Sequence, residues 1–420
     1  MPLLKKYSPL NRKKCLLNAQ KYLILPSYET YAMKENESAL YSRYVIDGIM
    51  GEATPAELLN ECLEYPFDEE FLTGNFKDIV DETIEPPLSA STYDNSKTEE
   101  LLEMTAAGAG TERSFRMLYP DHFTRLQIAQ ALISRIWSKG HFRLGDLRLW
   151  AQWDWNTRPV GNMAAFYSSI SEASDYIYGL GVRLTDYIFI ESDETSSAKF
   201  YAWLPEFDTE EGDDISEENH HTTLFKAPYE SSHPWISEER QCPRNLVNEK
   251  DSQLIYVPFD TCPFKLGGSL LDELSERAGG MAPNIKDPDY FIDCYEVVRE
   301  LIEDGVVMAG MSVGDGGLAT AAKIMLQDCG LDLEIGGLMS SYQEEDRMRI
   351  LFGEIPGVLL QVSDYDYDYL DSQLTLQDVA YYPVGRPTDE HNGIKITRSS
   401  KDGVANILAS LLAQATEGED

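Results

Sequence analysis

The chain has 420 residues, and 35 Lys+Arg against 72 Asp+Glu leave a formal net charge of −37. A surface this acidic repels phosphate backbones and anionic membranes, which excludes nucleic acid as a partner of the body of the chain. Hydrophobic residues at 43% and aromatics at 11% suffice for sizeable cores in roughly two or three domains, and no apolar run reaches the about 18 residues that a membrane-spanning helix needs.

The first 28 residues hold Lys5, Lys6, Arg12, Lys13, Lys14 and Lys21 and no acid. Such a start suits either a transit peptide or a basic arm lying on the protein's own acidic surface or on a neighbour, and the arm is the reading preferred here. Tyr22–Leu25 and Tyr44–Gly51 have the length of strands, and Thr54 followed by Pro55 starts a helix. A boundary is expected between Pro86-Pro87 and Thr98. Apolar spacing predicts a long helix over Pro120–Trp137 with Asp121 as its cap, a buried strand over Leu147–Trp153, and a helix over Ala164–Leu180 closed by Gly181.

Residues 191–221 turn polar, with Glu206, Asp208, Glu210, Glu211, Asp213, Asp214, Glu217 and Glu218 in one stretch. They read as an insertion, since the spacing and central glycine of an EF-hand loop are missing. His220-His221 beside them read as solvated, and His122, His141, His233 and His391 as structural. Strands are expected at Leu254–Phe259, Val306–Gly310, Leu331–Ile335 and Gly357–Val362, and helices at Pro288–Asp304 and Leu318–Leu326. Another helix should follow Ser363 and Asp364, which stand in capping positions before an acidic first turn. Six scattered cysteines without a CxxC pair read as reduced thiols of an intracellular compartment, cytoplasmic or, if the basic start directs import, organellar.

Gly314-Asp-Gly-Gly-Leu318 joins a strand to a helix, where backbone N–H groups approach an anion. Leu266-Gly-Gly-Ser269 precedes it, and Leu351-Phe-Gly-Glu-Ile-Pro-Gly357 and Tyr382-Pro-Val-Gly-Arg386 follow. This order resembles the C-terminal part of an AIR-synthase-like repeat in the phosphoribosylformylglycinamidine synthase family, ATP-dependent amidotransferases of purine biosynthesis. The likeness spans about residues 20–400 and is strongest over 254–390.

The resemblance implies an α+β fold, an AIR-synthase-like two-domain repeat in which a mixed sheet with long helices is followed by a C-terminal βαβ-like sandwich. It divides the chain into the arm at 1–28, a remnant of a preceding repeat's C-terminal domain at 29–95, and a truncated N-terminal-like domain at 96–262 with the insertion at 191–221. A C-terminal-like domain at 263–400 and a helical tail at 401–420 complete it. In the family the long helix carries a Glu and, four residues on, an Asn that face the metal; here Gln130 and Ser134 stand there. Met311 and Ser312 replace a His-Asp pair, while Gly267, Gly268, Asp315, Gly316 and Gly317 survive as possible phosphate-binding residues. Neutral residues at the metal positions leave little to hold magnesium–ATP.

The expectation is therefore a pseudoenzyme without catalytic residues, metal or cofactor, serving as a structural or scaffolding subunit. Protein partners or a second copy would bind an exposed sheet face and the basic arm. Under the alternatives, one subunit of a split synthase or a phosphate-sensing module, ATP and magnesium would bind, with Asp186 or Glu191 replacing lost ligands.

Overall fold

The computed structural model describes residues 38–68, 72, 77–90, 92–205, 239–277, 280–327 and 329–397. The basic arm, the strand expected at Tyr22–Leu25, the acids from Glu206 to Glu218, His220-His221, His233 and the tail at 401–420 lie outside the described residues.

A short helix α1 (Ser38–Tyr41) leads into a small sheet of β1 (Tyr44–Ile46), β2 (Ile49–Met50) and β3 (Ile79–Asp81), in the order β2-β1-β3. The stretch expected as one strand is thus a hairpin. Asp47 and Gly48 both take left-handed φ values of 53° and 78°, the conformation an Asp-Gly turn favours, and fold Met50 back onto Val45. Helix α2 (Pro55–Cys62) starts as expected: Thr54 Oγ1 accepts from Glu57 N–H at 3.3 Å, and Glu57 Oε2 from Thr54 N–H at 2.6 Å.

Helices α3 (Thr98–Gly108) and α4 (Pro120–Arg135) follow. Asp121 is not the cap of α4. Pro120 takes the first helical position, so Tyr119 occupies the capping position without a side-chain bond, and Asp121 pairs with Arg125 at 3.0 Å one turn on. A second small sheet, β5-β4-β6, consists of β4 (Arg148–Trp155), β5 (Arg183–Glu191) and β6 (Ser197–Trp203), with β4 parallel to β5 and antiparallel to β6. Strand β6 lies in the stretch read as polar insertion. Its alternating Ala198 and Phe200 are buried, and Phe200 meets Trp153 edge-on at 5.5 Å.

Between β4 and β5 runs α5 (Asn162–Gly179), whose first turn is held by a residue from the other small sheet. Asp81 accepts from the N–H groups of Gly161, Met163 and Ala164 at 2.8, 2.9 and 3.0 Å. A carboxylate there satisfies orphan donors and opposes the helix dipole. Asp81→Ala is expected to cost about 1–2 kcal/mol, read as a lower denaturation midpoint with loss of helical signal.

The largest sheet, in the order β12-β9-β11-β7-β10-β8, is built from β7 (Ser252–Pro258), β8 (Val307–Val313), β9 (Gly330–Glu334), β10 (Gly357–Ser363), β11 (Tyr382–Thr388) and β12 (Gly393–Thr397). Its pairs are antiparallel except β9 with β12, so it is mixed, within the expected α+β layout. Helices α6 (Leu270–Leu274), α7 (Pro288–Glu303), α8 (Gly317–Met325), α9 (Gly336–Ser341), α10 (Arg347–Phe352) and α11 (Tyr367–Leu376) connect and cover it. Neither expected residue caps α11: Asp366 holds the capping position without a side-chain bond, Ser363 Oγ accepts from Asp366 N–H at 3.1 Å in the turn before it, and Asp364 pairs with Arg386 at 2.9 Å.

The central strands β7 and β10 are apolar on both faces. Ile255, Val257, Val358 and Leu360 join α7 in an apolar cluster that runs without a break from Ala39 to Val379. Leu254, Tyr256 and Leu359 face the other way, onto α8 and α10. Five cysteines, Cys62, Cys242, Cys262, Cys294 and Cys329, are buried and not joined in disulfides. Among the described residues no helix is long and apolar enough to cross a membrane.

Candidate functional site

Strand β8 ends in the turn that starts α8, and Gly316 and Gly317 take φ values of 74° and 71° there. At Gly317 even a methyl group would meet backbone, 2.7 Å from the Phe352 carbonyl carbon, so glycine is required by the seat of α8 against α10. The Gly267-Gly268 turn, which starts α6, lies beside it. Gly267 N–H donates to the Met281 carbonyl at 3.0 Å.

One carboxylate joins the two turns. Glu354, just past α10 and 0% exposed, accepts from Leu270 N–H at 2.6 Å and from Gly316 N–H at 2.7 Å through the same oxygen. Its other oxygen receives Arg113 Nη1 at 3.1 Å. The Arg113 guanidinium, in the connection between α3 and α4, also reaches Asp315 Oδ1 at 2.7 Å, Glu273 Oε2 at 3.1 Å and the Gly268 carbonyl at 2.7 Å. Its flat face lies 5.2 Å from the centre of the Phe123 ring. Gln130 Nε2 donates to Asp315 Oδ1 at 3.3 Å, and Arg116 approaches Glu273 at 3.8 Å.

Burial alone would lower the Arg113 pKa, but the charges of Glu354 and Asp315 outweigh it and leave the guanidinium more firmly protonated than usual. Burial raises the Glu354 pKa, against the opposing pull of Arg113 and the two N–H groups. Three carboxylates face two guanidinium groups, so the cluster as a whole is anionic.

Gly268, Asp315 and Gly316, named from the sequence as possible phosphate-binding residues, lie here beside Gln130. The other expected positions do not join them. Ser134 is exposed and donates to the Ala131 carbonyl at 2.6 Å, Ser312 Oγ accepts from Trp137 Nε1 at 2.8 Å, and Met311 is half-buried against the second apolar cluster. Asp186 and Glu191 lie exposed on β5, bonded to Tyr187 N–H and Thr157 Oγ1, without a bond to Asp315. Sequence reading missed Arg113 and Glu273, and it quoted Glu354 in a motif without giving it a role.

Magnesium–nucleotide does not fit this arrangement. It needs free N–H donors and free carboxylate oxygens, whereas the Gly316 and Leu270 donors are taken by Glu354, and Oδ1 of Asp315 by both Arg113 and Gln130. Among the described residues no three His, Cys, Asp or Glu side chains gather as a metal site would require.

The family model described as AIR synthase related protein, C-terminal domain, matches residues 267–396, the stretch that carries both glycine turns and Glu354. The fold is AIR-synthase-like. The chain is 24% identical over 288 residues to a probable phosphoribosylformylglycinamidine synthase, chloroplastic/mitochondrial, of Arabidopsis thaliana, covering 68% of this chain and 19% of that one. With the Drosophila melanogaster phosphoribosylformylglycinamidine synthase it shares 23% identity over 322 residues, 72% of this chain and 22% of that one. The chain thus resembles the phosphoribosylformylglycinamidine synthases, and it spans about a fifth of the length of these curated relatives. Among solved structures, Thermotoga maritima PurL complexed with FGAR aligns with a TM-score of 0.49 at 9% identity, over 68% of this chain and 42% of that one.

Proposed function

We propose that this chain is a non-catalytic relative of the synthases that acts as a structural or scaffolding subunit of a larger protein assembly. The observation that carries the proposal is the Glu354 carboxylate, seated on the N–H groups of both glycine turns and neutralised by Arg113. A phosphate entering there would have to displace a fully buried carboxylate and leave it without its partners, at a cost of several kcal/mol. Gln130, which donates to Asp315, supports the same reading, because an amide N–H at that position repels a cation.

Calorimetric titration of the full chain with ATP and magnesium is the test. No binding heat is expected up to millimolar nucleotide; submillimolar, magnesium-dependent binding would overturn the proposal. Expression in a purine auxotroph lacking the synthase separates the enzymatic alternative. No rescue is expected, and growth would identify a subunit of a split enzyme.

A further inference from the structure

Away from the glycine turns, a cleft of about 230 Å³ opens between the β1–β2 hairpin, Thr83-Ile84 and the first turns of α5. Ile46, Ile49, Met50, Ile84, Met117 and Ala165 are among the residues that line it. Ile49 is 73% and Met50 48% exposed. Apolar side chains held in water on a short, firmly packed sheet mark a surface that something covers.

The chemistry around the cleft narrows the occupant. Asp47, Glu52, Glu82 and Glu85 are exposed beside the lining residues, and between Tyr44 and Ala90 the chain carries a single cation, Lys77. A segment both apolar and cationic complements this surface. The chain supplies one: residues 1–28 hold six cations and no acid, with Leu16-Leu17 and Tyr22-Leu-Ile-Leu25 among them.

Reach is sufficient. The described chain begins at Ser38, and the next carbonyl, that of Ala39, accepts from the Tyr44 hydroxyl at 2.9 Å. The Tyr44 ring stacks at 5.0 Å on Tyr167, which lines the cleft. The stretch from Leu25 to Ser38 can extend about 40 Å, several times the width of that aromatic layer. We infer that residues 1–28 dock in this cleft of their own chain, Tyr22–Leu25 covering Ile49, Met50 and Ile84 while the cations lie on the acidic rim.

Cys15 gives a direct test. It lies in the arm, whereas the five cysteines among the described residues are buried, so a thiol-reactive benzophenone attaches selectively to Cys15 in the folded full-length protein. Irradiation at low protein concentration should cross-link the arm to residues 46–51 and 82–85 within single chains. High salt should weaken the cross-link, and Ile84→Asp should abolish it. The surface double variant Glu82→Lys/Glu85→Lys, which disturbs no packing, should also reduce it, so the outcome does not hang on one substitution's folding. Cross-links confined to other segments, or formed only between chains, would overturn the inference, as would cross-links in this cleft that neither variant reduces.

Discussion

Arg113→Met should destabilise the protein by about 3–5 kcal/mol, the range for removing one partner of a buried ion pair. The methionine fills much of the same volume, so the loss is mainly electrostatic. Glu354, 0% exposed, would keep its two N–H bonds but lose its counter-ion, while Asp315 and Glu273 would lose theirs as well. The cost of the unpaired buried carboxylate is relieved in Arg113→Met/Glu354→Gln, where the amide oxygen can accept both N–H groups and position 354 carries no charge. The double variant is therefore expected to be more stable than the sum of the two single effects, with a coupling of about 1–3 kcal/mol in a double-mutant cycle. Denaturant unfolding followed by tryptophan fluorescence reads all four proteins. A cost below about 0.5 kcal/mol for Arg113→Met, typical of a surface change, would contradict the network.

The second large effect depends on pH. His122 is 1% exposed on α4. Burial holds its pKa down to about 3, with Asp121 and the Pro283 backbone pulling weakly the other way and Arg125 and Arg113 adding to the depression. Above pH ~6.5 the imidazole is neutral in both the folded and the unfolded chain, and its titration contributes nothing. Below that value the unfolded chain binds a proton that the folded chain refuses, so stability falls as pH falls, through the window from about 6.5 to about 3. At pH ~5 the loss from this residue should be about 2 kcal/mol relative to neutrality. His122→Gln should remove that part of the slope, which unfolding midpoints at the two pH values will show; an unchanged slope would mean that His122 protonates in place.

The legible parts of this molecule are those whose signal is local. Gly314–Leu318 and Gly267-Gly268 announce strand-to-helix and loop-to-helix turns because the backbone conformation there depends on the glycines themselves, and the strands β7 and β10 are continuous apolar runs. Arg113 was not legible. It sits in an aperiodic connection, and its partners Asp315 and Glu354 lie 202 and 241 residues downstream, with nothing nearby in sequence to mark the pairing. Glu354 was visible only as part of a motif, since its role comes from two helix starts brought together by the sheet. The same holds for β6, whose strand character depends on Trp153 across the sheet, and for Asp81, whose N–H partners begin 80 residues later.

The long separation between Arg113 and its carboxylates also sets an order of events during synthesis. At translation rates of about 5–20 residues per second, Glu354 emerges roughly 10–50 s after Arg113. Throughout that interval the ion cluster around Arg113 is incomplete, and the apolar faces of α4 and α5 await β7, α7 and β10. The nascent chain must therefore be kept from aggregating until nearly all of it has been made, which ties its yield in the cell to chaperone capacity more closely than its final stability would indicate.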